Sequence, residues 1–278
     1  MTKTAIIAGQ GALPGLTAGA LKTAGTPFVV AKLDGFPADN ADQPPTDASI
    51  RFRIERLAPF LDHLAAIGVE KVCFAGAVRR PRLDPSLFDA KTATLVPRLL
   101  AAMQAGDDAA LRDVIGIFED WGFEVIGADA LVPDLVPEAG ILAGTPSEED
   151  RRDAARGAAI LEGLGPLDLG QGVVVAQGLC LAVETLPGTD AMLGFVASQC
   201  GGLRPDPKGG KGVFYKAPKP GQDRRIDLPA LGPATLHAAH RAGLAGIAWE
   251  AGGVMLLDRD AMIALAHDLG LFLWARPL

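Results

Sequence analysis

Apolar runs and helix-like patterns alternate along the first half of the chain. The apolar runs are short, as buried strands are, and they lie at residues 5–8, 27–32, 71–75 and 123–126. Between them, apolar positions recur at the spacing of one helix face over residues 13–23, 57–67, 87–104 and 108–121. Strands and helices in such alternation are typical of a parallel sheet covered by helices. The pattern predicts a Rossmann-like fold for this half.

The second half carries a further set of strands and helices. Strand-like runs lie at residues 172–176, 179–184, 212–216, 246–249 and 254–257. Helical patterns cover residues 148–163, 189–198, 235–242 and 259–269. The first of these helices has Ser147 as its N-cap and three acids in its first turn. The pattern predicts a second α/β domain.

The alternation weakens between about 128 and 147, where prolines and glycines interrupt the apolar positions. Pro133 and Pro137 each restrict the backbone of the preceding residue and break the periodicity. We therefore predict a Rossmann-like N-terminal domain over 1–132 and a C-terminal α/β catalytic domain over 133–278.

The charge balance counts against a polynucleotide partner. The net charge is −7, and only 5% of the residues are aromatic. Proteins that bind nucleic acids hold the phosphate backbone with an excess of Lys and Arg, and those that bind single strands stack bases on aromatic rings. We expect no nucleic-acid partner.

The cysteines and the lengths of the apolar runs indicate a compartment. Cys73, Cys180 and Cys200 are odd in number and far apart, which predicts neither a disulfide framework nor a zinc site. No stretch reaches the roughly 18 uninterrupted apolar residues that a membrane span requires. We expect a cytoplasmic protein whose contact with a membrane is at most peripheral.

The first candidate binding segment follows the opening strand. It consists of Gly9, Gln10, Gly11, Ala12 and Leu13. Backbone N–H groups and the start of a helix can hold a phosphate here, whereas a tight glycine turn without a ligand is the alternative. The next glycine is Gly15, and Pro14 lacks an N–H group, so the segment does not match the NAD-binding fingerprint.

Two arginines follow another predicted strand. Arg79 and Arg80 come after the run at 71–75, at the end of the strand where open α/β sheets bind ligands. Guanidinium groups suit phosphate oxygens. A solvated basic turn is the alternative.

The densest group of charged residues lies in one proline-containing segment. Its candidate site residues are Lys216, Lys219, Gln222, Asp223, Arg224, Arg225 and Asp227. Phosphoryl transfer needs cations to neutralise the transferred group, and carboxylates to hold a divalent metal or to orient water. The segment supplies both kinds of group, and a surface loop with local ion pairs is the alternative.

A fourth candidate lies between a predicted strand and a predicted helix. Glu184 ends the strand, and Thr189 and Asp190 begin the helix. Glu184 is a candidate for a substrate contact or for a carboxylate that supports a metal ligand from behind. Thr189 and Asp190 are candidates for substrate contact, with simple N-caps as their alternative.

In their order along the chain, these segments resemble those of one family. The matching motifs are residues 6–14, 76–81, 183–190 and 219–229. Their order and the total length are similar to those of the LpxI-type UDP-2,3-diacylglucosamine pyrophosphatases, and the resemblance covers essentially the whole chain.

The resemblance implies Mg²⁺-dependent hydrolysis of UDP-2,3-diacylglucosamine to UMP and 2,3-diacylglucosamine 1-phosphate (lipid X), a step of lipid A biosynthesis. It also implies two α/β domains with the substrate in a cleft between them. One or both of Asp223 and Asp227 would handle the metal and the attacking water. Lys219, Arg224 and Arg225 would steady the diphosphate.

Two other functions stay open at this point. One is a carrier that binds a sugar nucleotide or lipid without catalysis, and the charged segment 216–227 counts against it. The other is a nicotinamide-dependent oxidoreductase that binds its cofactor at residues 9–15, and the glycine spacing there counts against it.

Overall fold

The computed structural model describes residues 2–34, 49–78, 83–104 and 107–278. The chain divides into two compact units. The first unit comprises Met1–Pro133 and Asp223–Asp227. The second comprises Asp134–Gln222 and Leu228–Leu278. The segment Asp223–Asp227, which holds both candidate catalytic aspartates, is therefore part of the first unit although it lies late in the sequence.

Among the described residues of the first unit, five strands form a central parallel sheet. The strands are β1 (Lys3–Ala8), β2 (Phe28–Leu33), β3 (Ser49–Phe52), β4 (Val69–Ala75) and β5 (Glu124–Ile126). Their order is β3-β2-β1-β4-β5, and all the pairs are parallel. The order reverses between β1 and β4, which is where open sheets of this kind bind ligands at the carboxyl ends of their strands. The predicted Rossmann-like sheet is confirmed.

Within the residues that the structure describes, the first unit has six α-helices. They are α1 (Leu13–Thr23), α2 (Leu57–Ala66), α3 (Ala90–Ala93), α4 (Val96–Gln104), α5 (Asp107–Asp120) and α6 (Ala128–Leu131). The single helix predicted over 87–104 is wrong, because the chain forms α3 and α4 instead. Pro97 lies in the first turn of α4, where its missing N–H costs nothing, whereas inside a longer helix its ring would clash with the preceding turn.

The second unit contains eight strands. They are β6 (Gly140–Ala143), β7 (Gly172–Ala176), β8 (Leu179–Val183), β9 (Val213–Lys216), β10 (Ala230–Leu231), β11 (Gly246–Glu250), β12 (Met255–Leu256) and β13 (Phe272–Arg276). Six of them form a mixed sheet in the order β6-β13-β11-β9-β7-β8. Strands β9, β11 and β13 are parallel, and β6, β7 and β8 pair antiparallel to their neighbours. The short strands β10 and β12 form a separate parallel pair.

Helices cover both faces of this mixed sheet. They are α7 (Glu148–Leu164), α8 (Thr189–Gln199), α9 (Pro233–Arg241) and α10 (Arg259–Leu269). Successive strand residues point to opposite faces, so Val174 packs in the core with α8, α9 and α10, whereas Val173 packs in the core with α7. The predicted cap of α7 is confirmed, since Ser147 and Asp150 form a reciprocal capping box.

Within the described ranges, no helix combines the length and the apolar character that crossing a membrane requires.

Candidate functional site

Charged residues collect at one edge of the mixed sheet. Lys216 ends β9, Glu250 ends β11 and Arg276 ends β13, and the parallel register brings these three strand ends together. Glu184 follows β8 and donates its backbone N–H to the carbonyl of Gly172, the first residue of β7, at 2.7 Å. Because Gly172 pairs with Lys216, Glu184 lies at the same edge. This is the edge where the parallel strands of an α/β sheet bind ligands.

Lys216 is a buried cation at this edge, with 6% of its surface exposed. Its Nζ donates to Thr189 Oγ1 at 2.8 Å, and the Thr189 hydroxyl donates to Glu184 Oε1 at 2.8 Å. The distance from Lys216 Nζ to Glu184 Oε2 is 3.8 Å. The three side chains therefore form a compact polar group in which a carboxylate compensates a buried ammonium.

Gly172 leaves the space that the Glu184 carboxylate occupies. A Cβ at position 172 would lie 2.5 Å from Glu184 Oε2 and 2.8 Å from the ring of Phe214. In the part of the chain that the structure describes, Glu184 Oε2 is buried without a hydrogen-bond partner. Position 172 therefore requires glycine because any larger residue would clash with the Glu184 carboxylate. The sequence pattern did not indicate this requirement.

The loop after β9 is held by a second set of contacts within the same unit. Gln222 Oε1 accepts hydrogen bonds from the backbone N–H of Lys219 at 2.9 Å and from Gln171 Nε2 at 3.0 Å. The Ala217 N–H donates to the carbonyl of Gln171 at 2.9 Å. Lys219 Nζ lies 2.5 Å from Asp168 Oδ1. Gln222, predicted as a substrate contact, therefore has a clear structural role in shaping this loop.

In the first unit, Arg225 connects two carboxylates. Its Nη1 donates to Glu119 Oε1 at 2.7 Å, and its Nη2 donates to Asp223 Oδ2 at 2.7 Å. Its Nε and its backbone N–H each donate to Asp223 Oδ1 at 3.0 Å. The hydrogen bond from Arg225 holds the pKa of Asp223 below its usual value, and the same bond raises the pKa of Arg225. Asp223 is a carboxylate at neutral pH.

The other residues of this segment make a different contribution. Ile226 packs against the core of the first unit, Asp227 is half-buried and Arg224 is exposed. Across the described ranges, no group of three or more His, Cys, Asp or Glu side chains is arranged to hold a metal ion. Mg²⁺ is commonly bound by one or two carboxylates together with water and phosphate oxygens, so Asp223 and Asp227 have the donor chemistry for Mg²⁺, and their predicted metal contact stays a prediction.

The glycine segment after β1 pairs with the turn after β4. The Gly9 N–H donates to the Ala75 carbonyl at 2.8 Å, and Gln10 and Ala77 exchange hydrogen bonds at 2.8 and 3.1 Å. A Cβ on Gly9 would lie 2.6 Å from the Ala77 carbonyl oxygen, and one on Gly76 would clash with the Gln10 carbonyl. These glycines let two backbones approach closely. The N–H groups of Gly9 and Gln10 already donate to carbonyls, so they are not phosphate donors in this structure.

The next residues of that segment start α1. Gly11 has a φ of +92°, and Leu13 is the first residue of the helix. Ala12 is the N-cap and makes no side-chain hydrogen bond to the first turn. The predicted contacts of Gly11, Ala12 and Leu13 with a ligand stay predictions.

The segment between β8 and α8 shows that Thr189 is not the N-cap of α8. Thr189 is the first residue of α8, Gly188 is its N-cap with a φ of +87°, and the Thr189 hydroxyl bonds Glu184. The interpretation of Thr189 as a simple N-cap is therefore wrong. Asp190 is exposed in the first turn of α8, and its predicted substrate contact stays a prediction. Arg79 and Arg80 lie outside the described residues.

The sequence patterns did not predict four charged residues that belong to these two sites. Glu250 and Arg276 directly follow buried strand positions, which is a signal that strand assignment could have used. Glu119 and Asp168 carry no such signal. They meet Arg225 and Lys219 across 106 and 51 residues of sequence, so only the folded chain reveals them.

Comparisons with known proteins agree with this architecture. The model of the LpxI N-terminal domain matches residues 3–135, and that of the LpxI C-terminal domain matches residues 137–274. The chain is also similar to the UDP-2,3-diacylglucosamine pyrophosphatase LpxI of Caulobacter vibrioides, with 42% identity over 274 residues. That alignment covers 98% of this chain and 96% of the relative. The chain belongs to the LpxI family.

Proposed function

We propose that this protein hydrolyses the diphosphate bond of UDP-2,3-diacylglucosamine, releasing UMP and lipid X in lipid A biosynthesis. The observation that carries the proposal is the 42% identity, over 98% of the chain, to a protein named for this activity. The charged groups of the two units have the chemistry that such a reaction needs.

The mixed-sheet edge supplies cations for the diphosphate oxygens. Lys216 is buried and its ammonium is fixed by Thr189 and Glu184, so it acts in an environment where water screens charge weakly. Lys219 presents a second ammonium from the adjoining loop. Such fixed charges favour the transition state because they need no rearrangement as negative charge develops on the leaving phosphate.

The first unit supplies a carboxylate that stays ionised. Arg225 lowers the pKa of Asp223 and fixes both of its oxygens. The Asp223 carboxylate is therefore ionised at neutral pH and acts as a hydrogen-bond acceptor. That suits the orientation of an attacking water. Arg225 is itself committed to Asp223 and Glu119, so we assign it to the positioning of Asp223 in addition to the predicted contact with phosphate.

Mg²⁺ is part of the proposal. Asp223 and Asp227 would hold the ion, with the remaining ligands coming from water and phosphate oxygens. When bound, the ion would neutralise charge on the diphosphate and make a coordinated water more acidic. Asp223 would keep its hydrogen bonds to Arg225 through the lone pairs that face the guanidinium.

A cytoplasmic location with transient contact at the inner-membrane surface follows from the proposed substrate, whose two acyl chains keep it in a bilayer. Co-sedimentation of the protein with anionic lipid vesicles tests this part. A protein that stays in the supernatant at all lipid concentrations would argue against it.

The decisive experiment measures UMP release from UDP-2,3-diacylglucosamine by the purified protein, with Mg²⁺ and with a chelator. Wild type should turn over only with the metal, and Asp223→Asn and Asp227→Asn should each lose at least about a hundredfold in kcat. Glu162→Gln, an exposed acid on α7, is the matched control and should keep full activity. Well-folded wild type that releases no UMP with any divalent metal would overturn the proposal.

A further inference from the structure

The backbone of Asp168 adopts a conformation that side chains disfavour. Asp168 follows a turn of 3-10 helix, Gly165–Leu167, with φ 55° and ψ 33°. In the ranges that the structure describes, Gln177 is the one other residue with a Cβ and a positive φ. Gln177 precedes Gly178 in the two-residue turn between β7 and β8, a turn type that requires positive φ at both positions. Asp168 lies in no such hairpin, so glycine would be easier to accommodate there.

The side chain of Asp168 explains why the position is not glycine. Its Oδ1 lies 2.5 Å from Lys219 Nζ, and the Lys219 side chain is only 12% exposed. The loop that carries Lys219 is held separately, because the Lys219 N–H donates to Gln222 Oε1 and Gln222 is in turn held by Gln171. The Asp168 carboxylate therefore fixes the position of the Lys219 ammonium.

We propose that Asp168 is a positioning residue that holds the Lys219 ammonium where it meets the diphosphate, an inference that rests on the proposed function. A lysine side chain has a flexible four-carbon stem, and a carboxylate within hydrogen-bond reach restricts its ammonium to one place. Residues held in disfavoured backbone conformations tend to occur where function requires the side chain. The alternative is an ion pair that merely stabilises the loop.

Asp168→Gly separates these two possibilities because it relieves the backbone while it removes the carboxylate. A positioning role predicts an unchanged or higher Tm together with a fall in kcat/KM of about tenfold to a hundredfold, mostly in kcat. Asp168→Asn, which keeps the shape and tolerates the same backbone, should show a smaller fall. Glu124→Gln removes an exposed carboxylate that pairs with Lys71 and is the matched control for loss of an ion pair. It should keep full activity.

A double variant tests whether Asp168 acts through Lys219. Lys219→Met alone should lose activity, and Asp168→Gly combined with Lys219→Met should lose no more. Wild-type kcat/KM in Asp168→Gly, or independent losses that multiply in the double variant, would overturn the inference.

Calorimetric measurement of UDP binding tests the role of Asp168 without depending on the proposed hydrolysis. Removal of a negative charge by itself should tighten binding of a nucleoside diphosphate, whereas loss of a positioned ammonium should weaken it. Weaker binding in Asp168→Gly supports the inference even if wild type releases no UMP, in which case only the proposed reaction fails. Equal or tighter binding in this variant contradicts the inference.

Discussion

Lys216 in the second unit and Arg225 in the first are both cations beside carboxylates, but their surroundings differ. Lys216 is 6% exposed, and its partner Glu184 is also largely buried. The Arg225 side chain is 43% exposed. A buried charge depends on its partner because neither can return to water, whereas an exposed pair is screened and contributes little to stability. The same pairing should therefore have a large structural effect in one unit and a small one in the other.

The largest expected effect comes from Lys216→Met, which keeps the aliphatic stem and removes the charge. Glu184 would be left as an uncompensated buried carboxylate, and we expect a loss of about 3–5 kcal/mol in the free energy of unfolding. Urea unfolding measures this loss. Lys216→Met combined with Glu184→Gln should recover part of it, because the orphaned charge is gone. A single variant that loses less than about 1 kcal/mol would break the contrast with Arg225.

A smaller effect is expected from Gly172→Ala, which disturbs the buried group without removing a charge. The new Cβ would approach Glu184 Oε2 and the ring of Phe214, so Glu184 would have to move away from Lys216. Overpacking of this kind costs about 1–3 kcal/mol. We expect a lower Tm and a lower rate of UMP release.

The control for this variant is Gly163→Ala in α7, where an added Cβ meets no atom. Alanine is favoured over glycine inside a helix by about 0.5–1 kcal/mol, so this variant should be stabilised. Equal Tm values for the two alanine variants would show that the space beside Glu184 is not tightly filled.

The sequence predicted most helices and buried strands of both units, because their patterns are local. Helix α1 and helix α10 begin and end where the periodicity does. Strands β3 and β6 were missed, since each is a four-residue edge strand whose pairing depends on distant partners. β13 was also missed, although it is an apolar run directly after a helix that ends at a glycine.

The candidate site was predictable in its residue types but not in its pairing. The charged segment from Lys216 to Asp227 is evident from composition alone. The sequence could not show that the chain contributes Lys216 to the second unit and Asp223 to the first. It also could not identify Glu119, which meets Arg225 from 106 residues away.

The smallest expected effect concerns Arg225→Met, the exposed counterpart of Lys216→Met. Arg225 lowers the pKa of Asp223, so the pair stabilises the folded protein above the unfolded pKa of Asp, about 3.9. That contribution is lost as the pH falls through the lower folded pKa. The stability difference between wild type and Arg225→Met should therefore be constant above about pH 5 and shrink below about pH 4.

Its size should stay below about 1 kcal/mol, because the guanidinium is exposed and screened. Urea unfolding at several pH values measures it, and Glu119→Gln is the comparison, since that change leaves the contacts of Arg225 with Asp223 in place. If Arg225→Met cost as much stability as Lys216→Met, the pair in the first unit would have to be as protected from water as the one in the second. The Lys216 and Arg225 pairs would then differ in their geometry but not in how strongly water screens them.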